Sequence, residues 1–239
     1  MGIGSRIRSM TSRGLIGAGK RLALGRYGDG WNGLKAIDAA MVLDIGSCGG
    51  ELAERELLDA FPNAQIHCFE PHPVNFARLG ATAARHPRIH AHQLALGEIE
   101  AEVDMQFNTG SPSSSSLLQQ TSDSVDMFPF LAETMQTTVH QKRLDDVMPV
   151  IDAEGRGPLV IKMDVQGFED RVIAGAPKTL ARASAVVLEV CLAPLYEGQA
   201  TFDALYEAMK SHGFRFAGTR DQFFGKDGSV IYLDACFIR

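Results

Sequence analysis

From Met41 onward, short apolar runs alternate with segments whose apolar residues recur at three- and four-residue spacing. This alternation leaves few architectures open. Met41–Asp44, Gln65–Phe69, Ile89–Leu94, Leu159–Val165 and Ala185–Val190 read as strands. Helical patterns separate them: Ala53, Leu57, Leu58 and Phe61, then Pro73–Arg85, then Phe168, Val172, Ile173, Ala176 and Leu180. Pro62 stops the first helix, and Pro73 suits the first turn of the second. The repeat predicts an α/β fold with a mainly parallel sheet covered by helices on both faces. Glu100–Phe107 alternates with no crossover helix before it, so an antiparallel addition is expected there. Thr137–Leu144 reads as a further strand, and Asp145 is placed to cap a short helix reaching Ile151. Phe202, Leu205, Tyr206 and Met209 mark a last helix, ended by Gly213. Phe214–Ala217 and Ser229–Ile238 then form an antiparallel C-terminal edge.

The strand ends carry the chemistry. Val42-Leu43-Asp44 runs into the turn Ile45-Gly46-Ser47-Cys48-Gly49-Gly50, after which a helix opens. Asp44, Glu70, Gln93, Asp164 and Glu189 all fall at carboxyl ends of expected strands, where open α/β sheets bind ligands. A dinucleotide fits poorly. The G-x-G-x-x-G spacing fails at Cys48 and Glu51, and Asp44 would face two phosphates. S-adenosylmethionine (SAM) carries no phosphate and bears an ammonium and a sulfonium, so an acidic first strand end favours it. A carboxylate at the second strand end, Glu70, can accept hydrogen bonds from both ribose hydroxyls.

Composition narrows the partners. The chain has 239 residues, is 45% hydrophobic and carries a net charge of −6, enough for one sizeable core. Basic residues gather in positions 1–40, among them Arg6, Arg8, Arg13, Lys20, Arg21 and Arg26. Residues 1–40 are therefore expected to be a basic arm or cap, and 41–239 the domain proper. The acidic body argues against broad nucleic-acid binding. Cys48, Cys68, Cys191 and Cys236 lack metal or C-x-x-C spacing, so they read as buried thiols in a reducing compartment. No apolar run reaches the roughly 18 residues of a membrane span. Neither a signal peptide nor a transmembrane segment is expected, and the cytoplasm is the expected address. A homo-oligomer is compatible with this sequence. Residues 108–136 hold a Ser-rich run, Ser113 to Ser116, and later Phe128-Pro129-Phe130. A segment of this length without periodicity reads as a flexible insertion or a substrate-facing lid, and the two phenylalanines favour the lid.

Several motifs occur together in order: Asp44-Ile-Gly-Ser-Cys-Gly-Gly50, Phe69-Glu-Pro71, Ala95-Leu-Gly97, Ser113–Leu117, Arg143-Leu-Asp-Asp146, Ile161-Lys-Met-Asp-Val-Gln-Gly-Phe-Glu169 and Leu188-Glu-Val190. With them the chain resembles the FkbM-type SAM-dependent methyltransferases. The resemblance spans residues 41–190 and is most specific in the run after Ile161. It implies a class I methyltransferase (Rossmann-like) fold with a mostly parallel seven-stranded sheet. It implies SAM as cofactor, held by Asp44, Gly46, Ser47, Gly50, Glu70, Pro71, Gln93, Ala95 and Asp164. It also implies methyl transfer to a hydroxyl of a small molecule or glycan, such as a sugar or a polyketide-like product.

Methyl transfer to a hydroxyl needs the nucleophile held in line and its proton removed. Asp164 and Glu189, at neighbouring strand ends, are the expected catalytic residues. They could serve as a base, or share a divalent cation such as Mg²⁺ that lowers the hydroxyl pKa. Glu169 is expected to hold the Gln166-Gly167 turn. His72 and His140 are alternative bases that read more readily as supporting or surface histidines. The competing reading is a SAM-fold binding protein, or an RNA methyltransferase, that uses the basic arm.

Overall fold

The computed structural model describes residues 31, 33–155 and 157–239. Most of the expected basic arm, residues 1–30, lies outside the described residues. Contacts divide the chain into Met1–Ile37 and Asp38–Arg239. The described part of the first unit holds one 3₁₀ turn, Leu34–Ala36.

Among the described residues the main sheet of the second unit has seven strands. In spatial order these are β3 (Ile89–His92), β2 (Gln65–Phe69), β1 (Met41–Ile45), β7 (Leu159–Met163), β8 (Ala183–Cys191), β10 (Val230–Ile238) and β9 (Arg215–Phe224). The first five pair in parallel, and β10 and β9 join antiparallel. This is the expected class I methyltransferase architecture. A smaller sheet, with order β4 (Ala95–Leu96), β6 (Thr134–Lys142), β5 (Ala101–Asn108), contains the predicted antiparallel addition.

Strand alternation sorts the side chains into two faces. Leu43, Ile45, Ile161, Met163, Val186 and Leu188 join one core with Leu144, Val172, Leu180 and Leu205 from the helices. Val42, Ile66, Cys68, Val160 and Val187 point the other way and are equally buried. Cover on both faces is what a parallel sheet requires. The second face is not purely apolar: Asp44, Lys162, Glu189 and Asp234 share it and are buried too.

Several boundaries differ from the sequence reading, each for a local reason. β3 stops at His92 rather than Leu94, because Ala95–Leu96 leaves to pair with β6. The helix over Phe168–Leu180 is two helices, Glu169–Ala174 and Pro177–Arg182. Pro177 lacks an N–H, and a Cβ at Gly175 would stand 1.9 Å from the Gly97 carbonyl oxygen, so the chain breaks there. Asp145 does not cap its own helix, which runs Leu144–Ile151 from Arg143. Its carboxylate accepts from Lys178 N (2.9 Å), Thr179 N (2.8 Å) and Thr179 Oγ1 (2.7 Å), capping the second of the two helices instead. The helix after β1 carries a π-turn over Ala53–Leu57 before Leu58–Ala60. β9 extends to Phe224 through register shifts that hide its alternation. Residues 108–136 contain the 3₁₀ turns Pro112–Ser114 and Pro129–Leu131 and the helix Ser122–Met127. Thr121 caps that helix through Ser124 N at 3.1 Å.

Candidate active site

The strand order reverses between β1 and β7, and a cleft opens at their carboxyl ends. Asp164 N donates to Ile45 O at 2.9 Å, and Gly46 N donates to Phe69 O at 3.0 Å, so three strand ends meet in one place. Gly46 makes the approach possible. Its φ is +83°, and a Cβ there would lie 1.9 Å from the Asp164 carbonyl oxygen. The cleft and its solvent-open mouth together span about 540 Å³.

The structure separates the expected cofactor residues into two groups. Gly46, Glu70, Pro71, Ala95 and Asp164 line the cleft. Asp44, Ser47, Gly50 and Gln93 do not. Asp44 points into the second face of the sheet, beside Cys68 and in register with Lys162. Burial pushes its carboxyl up to about 6, with Lys162 opposing the rise. Ser47 Oγ donates to the Asp44 carbonyl at 2.5 Å and fixes the turn. Gly50, at φ +81°, lets the helix Pro73–Arg85 pack on the turn: a Cβ there would stand 2.8 Å from Leu79 Cδ1, and Thr82 Oγ1 donates to Gly49 O at 2.9 Å. Gln93 is exposed.

The cleft suits a nucleoside without phosphates. No Lys or Arg among the described residues lines it, while Glu70 and Asp164 do. Glu70 is 4% exposed, and burial pushes its carboxyl up to about 7, against the N–H groups of His72 and Cys48. Asn75, at the cleft wall, donates through Nδ2 to Pro112 O at 3.3 Å. Its Oδ1 is buried and has no hydrogen-bond partner among the described residues. A buried orphan acceptor is costly. Two acceptors on one wall match the hydroxyl and amino donors of an adenosine.

Asp164 and Glu189 are brought together as expected. Gln166, held at φ +57°, donates through Nε2 to Asp164 Oδ1 (2.7 Å) and Glu189 Oε2 (2.6 Å). Lys162 Nζ lies 2.8 Å from Asp164 Oδ2 and 4.0 Å from Asp234 Oδ1. Burial alone would push Asp164 up, but the Lys162 ammonium and hydrogen bonds from Lys162, Gln166 and Glu189 together hold the carboxyl below its usual value. Burial pushes Glu189 well above the usual carboxylate range, and the Asp164 charge adds to this. One proton is thus shared unequally, with Asp164 the charged member. Behind the pair, Asp234 is paired with Arg220, which also reaches Glu56 at 2.6 Å.

No group of three or more His, Cys, Asp or Glu among the described residues is arranged to hold a metal ion. The divalent cation that was one alternative at Asp164 and Glu189 therefore lacks a donor set among the described residues, and the charge there is met by Lys162 and Gln166. Neither histidine named as an alternative base lines the cleft. His72 Nδ1 accepts from Val74 N at 3.3 Å, and its ring stacks on Phe107 at 3.6 Å. His140 pairs with Glu102 at 2.9 Å in the small sheet. Glu169 Oε1 accepts from Val165 N at 3.0 Å and so ties the turn after β7. Lys162, Gln166 and Asn75 have no site role in the sequence reading. Only Lys162 had a signal, a cation inside an otherwise apolar strand.

The Ser-rich segment is docked over the site. Ser113, Ser115, Ser116 and Leu117 line the cleft, and Ser116 Oγ donates to Gln166 O at 2.7 Å. Among the described residues no helix is long and apolar enough to cross a membrane.

Comparison with known proteins agrees with this fold. Residues 44–216 match the family model "Methyltransferase FkbM domain". The chain is 29% identical over 176 residues to the 2-O-methyltransferase NoeI of Sinorhizobium fredii, covering 72% of this chain and 71% of that protein. It is 27% identical over 217 residues to the 31-O-demethyl-FK506 methyltransferase FkbM of Streptomyces tacrolimicus, covering 81% and 79%. Among solved structures, methyltransferase FkbM from Methylobacillus flagellatus superposes with a TM-score of 0.54 at 17% identity, over 84% of this chain. This chain spans 44% of the length of that one. Motifs, strand order and the matched span, which exceeds half the chain, lead to one assignment: the chain belongs to the FkbM methyltransferase family.

Proposed function

We propose that the chain is a SAM-dependent O-methyltransferase acting on a hydroxyl of a small molecule or glycan. The observation that carries this reading is a cleft that no Lys or Arg among the described residues lines, with Glu70, Asn75 and Asp164 in its walls and Glu189 bridged to Asp164 through Gln166. Glu70 would accept from the ribose hydroxyls and Asn75 Oδ1 from a donor on the nucleoside. SAM, when bound, supplies an electrophilic methyl group on a sulfonium. The charged Asp164 would accept a hydrogen bond from the acceptor hydroxyl, aiming its oxygen and drawing off the proton as the new bond forms. Glu189, neutral beside it, keeps a second negative charge from building up at that point. The names of two relatives, NoeI and FkbM, both specify O-methyl chemistry. Residues 41–239 are proposed as the catalytic domain, with 108–136 as its fixed lid.

Titration calorimetry with SAM and S-adenosylhomocysteine tests the cofactor. Binding below millimolar concentration is expected, and its absence would sink the proposal. Labelled-methyl transfer to hydroxylated glycans and polyketides, followed by base-stable product analysis, tests the oxygen acceptor. Label recovered on nitrogen alone would reject it.

A further inference from the structure

A second compartment adjoins the cleft and shares Asp164 and Ser113 with it. Its floor is polar, formed by Asp164, Gln166 and Glu189. One wall is aromatic. Phe130 and Phe128 have ring centres 5.7 Å apart, Phe128 and Phe223 6.1 Å, and Phe223 stacks on Tyr232 at 5.0 Å with the planes 3° apart. Two of these rings come from the lid and two from the β9–β10 hairpin, so distant parts of the chain build one surface. Phe130 and Phe223 remain 53% and 42% exposed. A contiguous apolar patch bordering a site marks a place for a ligand. The lid that presents Phe128 and Phe130 is tied down: Thr121 Oγ1 donates to Pro194 O at 2.6 Å, and Gln120 bridges to Tyr196.

Charge narrows the occupant. No Lys or Arg among the described residues lines this compartment, and its floor holds two carboxyl groups. A phosphate or sulfate would meet Asp164, whose partner Lys162 is already engaged with it at 2.8 Å and does not line the compartment. A sugar-like ring presents hydroxyls at its rim and C–H bonds on its faces, and aromatic rings pack well against such faces. Resting on the methyltransferase reading above, we infer that Phe128, Phe130, Phe223 and Tyr232 form the acceptor-binding wall, and that the compartment takes an uncharged hydroxylated ring joined to an apolar group while rejecting phosphorylated and nucleotide acceptors. The C–H face and the apolar group lie on the aromatic wall. The hydroxyl to be methylated turns toward Asp164.

Saturation-transfer NMR on the whole chain tests this directly, with octyl β-glucoside below its micellar concentration and octyl β-glucoside 6-phosphate as probes. The neutral probe should take up saturation and the phosphorylated one should not. Phe130→Ser and Phe223→Ser should each reduce the neutral probe's signal at least fivefold. Calorimetric affinity for S-adenosylhomocysteine should stay within twofold in both variants, which reports an intact fold. Equal signals from the two probes, no signal from the neutral probe at millimolar concentration, or unchanged signals in both variants would overturn the inference. Loss of S-adenosylhomocysteine binding by the unaltered chain would instead defeat the methyltransferase reading and leave the NMR result to decide the aromatic wall alone.

Discussion

Lys162 Nζ lies 2.8 Å from Asp164 Oδ2, with the lysine side chain 4% exposed and the aspartate 30% exposed. The ammonium sits inside the sheet on the face that also carries Asp44, Glu189 and Asp234. Burial acts to lower the Lys162 pKa, but Asp164, Asp234 and Glu189 outweigh it and hold it raised. Removing one partner of a buried pair strands the other, at a cost of about 3–5 kcal/mol. Lys162→Met is expected to destabilise the chain by roughly that amount in urea denaturation. Lys162→Met combined with Asp164→Asn should recover part of the loss. A single variant within 1 kcal/mol of the parent would mean that water reaches the pair and screens it.

Glu70 gives the pH behaviour. Burial pushes its carboxyl from 4.5 up to about 7, so the folded chain holds a proton that the unfolded chain has released. The stabilising contribution is complete below the unfolded value of 4.5 and is lost as pH rises through about 7. Glu70→Gln should therefore raise stability at pH 8, by about 1–3 kcal/mol. Donors from a nucleoside favour the charged carboxylate, so S-adenosylhomocysteine affinity should climb between pH 6 and 8 in the parent. It should be weaker and flat in Glu70→Gln. Calorimetry across that range decides, and a flat profile in the parent would remove Glu70 from cofactor binding.

Much of this was legible from periodicity. The parallel strands and the C-terminal edge follow from apolar alternation, and strand-end acids mark the carboxyl side of a sheet. The lid was not legible as structure, because Thr121, Ser115 and Ser116 order it by hydrogen bonds rather than by apolar spacing. Asn75 and Gln166 look like ordinary polar residues in sequence. Their roles come from strands and loops far apart in the chain. At Asp44 the position was legible and the side-chain direction was not. Its position at a strand end was plain, but the side chain alternates into the sheet, away from the cleft.

The two tight glycines should differ in tolerance. At Gly46 a Cβ meets backbone, the Asp164 carbonyl oxygen at 1.9 Å; at Gly50 it meets the end of a side chain, Leu79 Cδ1 at 2.8 Å. Both have positive φ, which costs an alanine about 1–2 kcal/mol. Leu79 can shift and the β7 end cannot. Gly50→Ala should thus lower stability by about 1–3 kcal/mol and keep cofactor affinity. Gly46→Ala should cost more and weaken S-adenosylhomocysteine binding at least tenfold. Equal losses in thermal unfolding and calorimetry would refute this distinction.

Gln166 is the residue on which the carboxyl pair turns. Tyr196 Oη donates to its Oε1 at 2.5 Å, which fixes the amide so that Nε2 faces Asp164 and Glu189. Each of its two N–H bonds serves one carboxyl group. Gln166→Glu replaces both donors with a third acid and should collapse the unequal sharing of the proton. Gln166→Ala leaves the pair unclamped. On the proposed reading, kcat falls roughly 10- to 100-fold in either variant, while S-adenosylhomocysteine affinity stays within twofold because Gln166 lies outside the cofactor cleft. Tyr196→Phe should reduce kcat less, since the amide keeps its two acceptors. The pH profile separates positioning from packing: Gln166→Glu should shift the profile, whereas Gln166→Ala should lower its plateau. Full activity in Gln166→Ala would show that Asp164 and Glu189 hold their places without it.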